Sequence, residues 1–158
     1  KCPLTQALGG KMKILASLLV TSAALTGCAT TPADPSRAAS VPPARIAAFQ
    51  SPIEGPSSTL ILTRDKGILG SGCYYGFFIN DTLAARIDVA ETATFIVPAG
   101  ELLLRAGGDP EGRGLCALGK QHWTQRETIL RDGEVKYFRM SIDVNGETDI
   151  QRADPIAP

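Results

Sequence analysis

The chain has 158 residues, 44% of them hydrophobic, which suits one domain with a single core. Its 16 basic and 16 acidic side chains cancel; residues 1–27 hold three lysines and no acid, so the remainder is mildly acidic. No basic run is present, which excludes a nucleic-acid groove and a surface that docks on anionic headgroups by charge.

Residues 1–11 (KCPLTQALGGK) show no periodicity and read as sequence upstream of a start at Met12-Lys13. Residues 14–25 (ILASLLVTSAAL) form a mainly apolar stretch of 12, within the ~7–15 of a secretory core and short of the ~20 that span a bilayer. Leu25-Thr26-Gly27-Cys28 follows, with small residues just ahead of the cysteine. Residues 12–27 resemble the bacterial lipoprotein signal peptide, with Leu at −3 and Cys at +1. The resemblance implies cleavage before Cys28, a diacylglyceryl thioether on its sulfur and acylation (palmitate or a similar chain) of its new amine. Several chains are needed, because one alone binds a membrane only reversibly. Ala29, where an Asp signals inner-membrane retention, implies the outer membrane, with the domain on the periplasmic face. The alternative is an ordinary secretory leader in which Cys28 is incidental.

Residues 28–45 carry Ala, Pro, Ser and Thr without an aromatic or large aliphatic run. Such a segment buries too little apolar surface to offset its ordering entropy, so it is expected to be a flexible tether. Extended, it would hold a domain up to roughly 50 Å from the bilayer.

From residue 46 to 154 strand signals dominate. TLILTR (59–64), YYGFFI (74–79), LAARIDV (83–89), ATFIV (93–97) and ELLLRA (101–106) are short, rich in β-branched or aromatic residues and bounded by turn residues. TQRETIL (124–130), EVKYFRMSIDV (134–144) and a weaker ETDIQ (147–151) follow. Asn80-Asp81, Asp132-Gly133 and Asn145-Gly146 mark sharp connections; Asp-Gly and Asn-Gly suit type I′ turns. Pro98-Ala99-Gly100 marks a further corner. In the longest strand Phe138, Met140, Ile142 and Val144 alternate with polar residues, predicting one buried face. Val135 and Tyr137 fall on the opposite phase, which predicts burial on both faces there or a bulge. The spacing predicts an all-β fold, an antiparallel β-sandwich of about seven to eight strands.

Cys73 and Cys116 remain once the leader is gone and Cys28 is acylated, an even pair in an oxidising compartment. GILGSG (67–72) precedes the first and GGDPEGRG (107–114) the second, so a bridge would pin both loops to one rim. The alternative is two buried free thiols.

The run GFFINDTLAARIDVAETATFIVPAGELLLRA (76–106) has a strand ending in a polar turn, a second strand, then an apolar strand closing on Pro-Ala-Gly. It is similar to PEGA-like lipoprotein domains, β-sandwiches of unknown function. That likeness implies the fold and supplies no catalytic residue.

His122, the sole histidine, precedes Trp123, the sole tryptophan. A lone histidine can act as a base, yet no Ser/Asp partner is marked by spacing, and the plainer reading is a strand-edge pair. No cluster of His, Cys and carboxylates predicts a metal centre, and no cofactor is implied. Asp109 and Glu111 could hold calcium weakly; loop solvation is the commoner use. GILGSG lacks the Lys-Ser/Thr and helix of a phosphate cradle and reads as a turn. The first expectation is thus a non-catalytic, tethered sandwich that binds an envelope protein or glycan by a loop rim containing Asp109, Glu111, Arg113, His122 and Trp123. The second is a small-molecule or lipid carrier with an apolar pocket lined by Phe77, Phe95 and Phe138. The third is an envelope hydrolase centred on His122.

Overall fold

Nine strands form two stacked sheets in the computed structural model, which describes residues 30–68, 70–117 and 123–154. In chain order they are β1 (Ala39–Ser40), β2 (Ser57–Arg64), β3 (Tyr75–Ile79), β4 (Thr82–Ile87), β5 (Glu91–Pro98), β6 (Gly100–Gly108), β7 (Trp123–Leu130), β8 (Val135–Ile142) and β9 (Thr148–Ala153). One sheet runs β1-β5-β2-β8-β9 and the other β4-β3-β6-β7. The eight strands expected from alternation are all present, and the fold is a β-sandwich.

Period two builds the core. Leu60 and Leu62 of β2, Phe95 and Val97 of β5, and Phe138 and Met140 of β8 point inward from the first sheet, and all are buried. Phe77 and Ile79 of β3 with Leu102 and Leu104 of β6 meet them from the second. The Phe77 and Phe95 rings pack at 5.6 Å between centroids. Burying each such side chain stabilises by roughly 1.5–3 kcal/mol.

Pairing departs from a purely antiparallel plan at β2, which lies antiparallel to β5 but parallel to β8, Thr59 opposite Val135 through Arg64 opposite Met140. Parallel neighbours need a long crossover, and β3 through β7 lie between the two strands in the chain. The strand expected to be longest is corrected too, β8 having 8 residues against 9 in β6. β8 ends at Ile142, and Val144 lies exposed in the following turn rather than on the buried face. Its register against β2 and β9 is unbroken; Val135 is exposed on the outer face, and Tyr137 is half-buried there beside Pro35 and Ser36. The register shift falls instead between Phe77 and Phe78, where β3 pairs with β4. Of the three sharp turns, Asn80-Asp81 alone has positive φ at both central residues (47° and 63°). The other two use a positive φ only at Gly133 and Gly146 within longer loops, glycine taking that region most freely.

The flexible tether expected over 28–45 is corrected within the described residues, since the chain joins the sandwich from Thr31. Thr31 bridges Lys66, β1 pairs in parallel with β5, and Val41 is buried in the core. The chain then crosses the open seam between the sheets: Val41 N–H donates to Thr92 O (2.9 Å), Ala47 N–H to Ala84 O (2.9 Å), and Ile96 N–H to Phe49 O (2.8 Å). Edge strands β5 and β4 leave backbone groups to be paired, and this segment pairs them despite its poor apolar content. On the far seam the Thr148 hydroxyl donates to Ala106 O (3.0 Å) and Arg126 pairs with Asp149 (2.6 Å). Val41→Ala is expected to cost about 1–3 kcal/mol in urea unfolding. An unchanged midpoint would mean that the segment is loose. Among the described residues no helix is long and apolar enough to cross a membrane.

Candidate functional site

Strands β2, β4, β6 and β8 all finish at one end, so the loops 65–74, 88–90, 109–117 and 143–147 gather there. Cys73 and Cys116, the pair expected from the cysteine count, are joined by a disulfide, Cα atoms 5.4 Å apart, which ties two of these loops together. Two clefts flank the bridge and share Cys73, Tyr74, Asp109 and Cys116. One, of about 440 Å³, runs past Gly70, Tyr75, Leu115 and Asn145. The other, of about 810 Å³, runs past Arg86, Glu111 and Arg113.

Beneath the bridge lies Arg64, whose side chain follows Leu60 and Leu62 on the inward phase of β2 and is 1% exposed. Its guanidinium donates to the carbonyls of Gly70 (2.7 Å), Cys73 (2.9 Å) and Ile87 (2.9 Å) and stacks on the Tyr75 ring at 4.5 Å. No carboxylate pairs with it among the described residues, and burial pulls it below its ordinary pKa, opposed by the fields of Tyr75, Asp88 and Glu91. It thereby ties the loop after β2, at Gly70 and Cys73, to the end of β4 at Ile87.

A second layer is ionic. Arg86 of β4 grips Asp109 with two hydrogen bonds (2.8 and 2.7 Å) and Glu111 with a third (2.5 Å). Arg45 grips Glu91 (2.7 and 2.5 Å), and both guanidinium groups lie over Tyr74, at 4.3 Å for Arg45 and 5.4 Å for Arg86. The hydrogen bonds to Glu91 and Asp109 raise Arg45 and Arg86 respectively above the ordinary arginine value. Asp65, 1% exposed, is held by Arg139 across β2 and β8. Two-point ion pairs of this kind fix loop geometry, and breaking a buried one leaves an uncompensated charge.

Of the residues singled out from sequence, Asp109, Glu111 and Arg113 meet at the larger cleft, Asp109 buried and the other two exposed. Arg86 takes the place at Asp109 and Glu111 that a cation would occupy, and no group of three metal-binding side chains occurs among the described residues. Trp123 lines neither cleft. It begins β7 opposite Gly107 and packs edge-on against Phe78 (5.1 Å) with Arg105 at 5.3 Å. His122 and Cys28 lie outside the described residues. Phe77, Phe95 and Phe138 are packed in the core rather than around an opening. Arg64, Tyr74 and Arg86 join the site without any motif that marks them in the sequence. The inward phase of Arg64 was visible in TLILTR, whereas the pairing of Arg86 with Asp109 spans 23 residues and leaves no local pattern.

At 143–147 the Asp143 carboxylate accepts from the N–H groups of Asn145 (2.8 Å) and Glu147 (2.9 Å), which holds it below the usual carboxylate range, the Glu147 bond foremost. A depressed carboxylate stabilises its turn above the ordinary value and loses that contribution as pH falls through the depressed one. The amide signals of Asn145 and Glu147 are therefore expected to titrate below pH 4, the usual carboxylate value being about 3.9. A midpoint at or above the ordinary value would contradict this anchoring.

No protein-family model matches the chain, and no curated protein is significantly similar to it.

Proposed function

We propose that the chain is a lipid-anchored cell-envelope protein that works by binding, held to the outer membrane through acylated Cys28 on the periplasmic face and contacting an envelope partner, protein or glycan, with the rim beside the disulfide. The observation that supports this reading best is the contrast within the rim. A disulfide, Arg64 and the Arg86–Asp109 pair make it rigid, yet two clefts stay open beside the bridge. Rigid loops that expose polar side chains suit recognition with little ordering cost. The signal-peptide-like stretch ending in Leu25-Thr26-Gly27-Cys28 is the basis for the anchor, and the likeness of 76–106, which spans most of β3 through β6, to PEGA-like domains agrees with a non-catalytic sandwich. The closely packed Phe77–Phe95 interior counts against a carrier.

A photo-crosslinking side chain at Arg113, in the full protein in intact cells, is expected to give a reproducible adduct. The same probe at Glu54, exposed near the opposite end, is expected not to. Identical adduct patterns from both positions would contradict binding at the rim.

A further inference from the structure

Thr30, the first described residue, sits at the disulfide rim. Its hydroxyl accepts from Ile142 N–H (3.2 Å) and faces Asp65 (3.4 Å). Thr31 exchanges two backbone hydrogen bonds with Lys66 (2.7 and 2.9 Å). Cys28 is two residues earlier, and two residues of extended chain span at most about 7 Å. An acylated Cys28 would therefore deliver its chains to the bilayer beside this rim, not at the end of a long tether.

The same end carries three exposed aliphatic side chains from three different loops. Ile68 is 89% exposed between β2 and β3, Leu115 83% between β6 and β7, and Val144 67% between β8 and β9. Leu115 lines the smaller cleft together with Gly70, two residues after Ile68, and with Asn145, which follows Val144. The acids around them are engaged, Asp65 by Arg139 and Asp143 by its own turn. Lys66 and Glu147, exposed at the base of the loops, limit any insertion to the headgroup boundary.

We propose that Ile68, Leu115 and Val144 form an apolar crest that rests in the interfacial layer of the membrane holding the anchor, so that the sandwich lies on the bilayer rim-down. The proposal rests on acylation at Cys28. It names the lipid surface as the contact of the crest and leaves the polar cleft at Arg86, Glu111 and Arg113 at headgroup height, where an envelope partner would be met close to the membrane. Ile129 and Val135 are exposed as well, but they lie toward the other end of β7 and β8, away from Thr30.

The test uses the full acylated protein in vesicles of phosphatidylethanolamine and phosphatidylglycerol containing brominated lipid, with a Trp123→Phe background. Ile68→Trp, Leu115→Trp and Val144→Trp are introduced one at a time, with Ile129→Trp as control. The crest probes are expected to be quenched several-fold more than the control. With acyl chains on Cys28 verified by mass, equal quenching at all four positions overturns the docking and leaves the anchor standing. So does a crest shielded from lipid by crosslinking to a second copy. A native chain without acyl groups overturns both.

Discussion

Arg64→Ala is expected to destabilise the domain by about 3–5 kcal/mol, a large share of the 5–15 kcal/mol typical of a single domain. The substitution empties a fully buried site and removes the donors to the carbonyls of Gly70, Cys73 and Ile87. It also strips the face of Tyr75 of its cation. Arg64→Lys should recover less than half, because an ammonium cannot fork to three carbonyls across the guanidinium's span. Urea unfolding of oxidised protein measures both variants, and a midpoint unchanged by Arg64→Ala would contradict the assigned role. Hydrogen exchange adds a local reading: protection at Cys73, whose N–H donates to Gly70 O, should fall most.

The second large effect belongs to the disulfide. Cys73→Ser combined with Cys116→Ser is expected to lower stability by about 4 kcal/mol, the chain-entropy cost of opening a loop of roughly this length. The sequence separation is 43, and the closed loop contains all of β3, β4, β5 and β6. Combined with Arg64→Ala the loss should be less than additive, since both restrain the same loop. Urea midpoints of the double and triple variants decide this. A loss below about 1 kcal/mol for the paired serines would show that the loops hold without the bridge.

The sandwich could be read from the chain because each strand announces itself through alternation: Leu60 and Leu62, Phe77 and Ile79, Phe138 and Met140 keep period two against polar neighbours. Turn residues then separate the runs. Three features escaped for physical reasons. The segment from Thr31 to Phe49 is held mainly by backbone hydrogen bonds to the edges of β4 and β5, and composition says nothing about backbone pairing. The parallel pairing of β2 with β8 joins residues more than 70 apart, beyond the reach of local pattern. Val144 kept the phase of Phe138 and Met140, yet the turn begun by Asp143 ends the strand before it. At the rim, the cysteines are legible by their even count. The ion pairs that stiffen the loops around them became visible only in three dimensions. Asp109 and Glu111 stand out in the sequence as acids, whereas nothing local marks Arg86 as their partner.

Intact mass of the mature protein taken from its native membrane is the most direct test of the account. The predicted chain begins at Cys28, carries diacylglycerol on sulfur and a further acyl chain on its amine, and keeps Cys73 and Cys116 oxidised. A chain with a free Cys28 thiol, or one beginning elsewhere without lipid, would contradict the anchor and every statement about the membrane that follows from it.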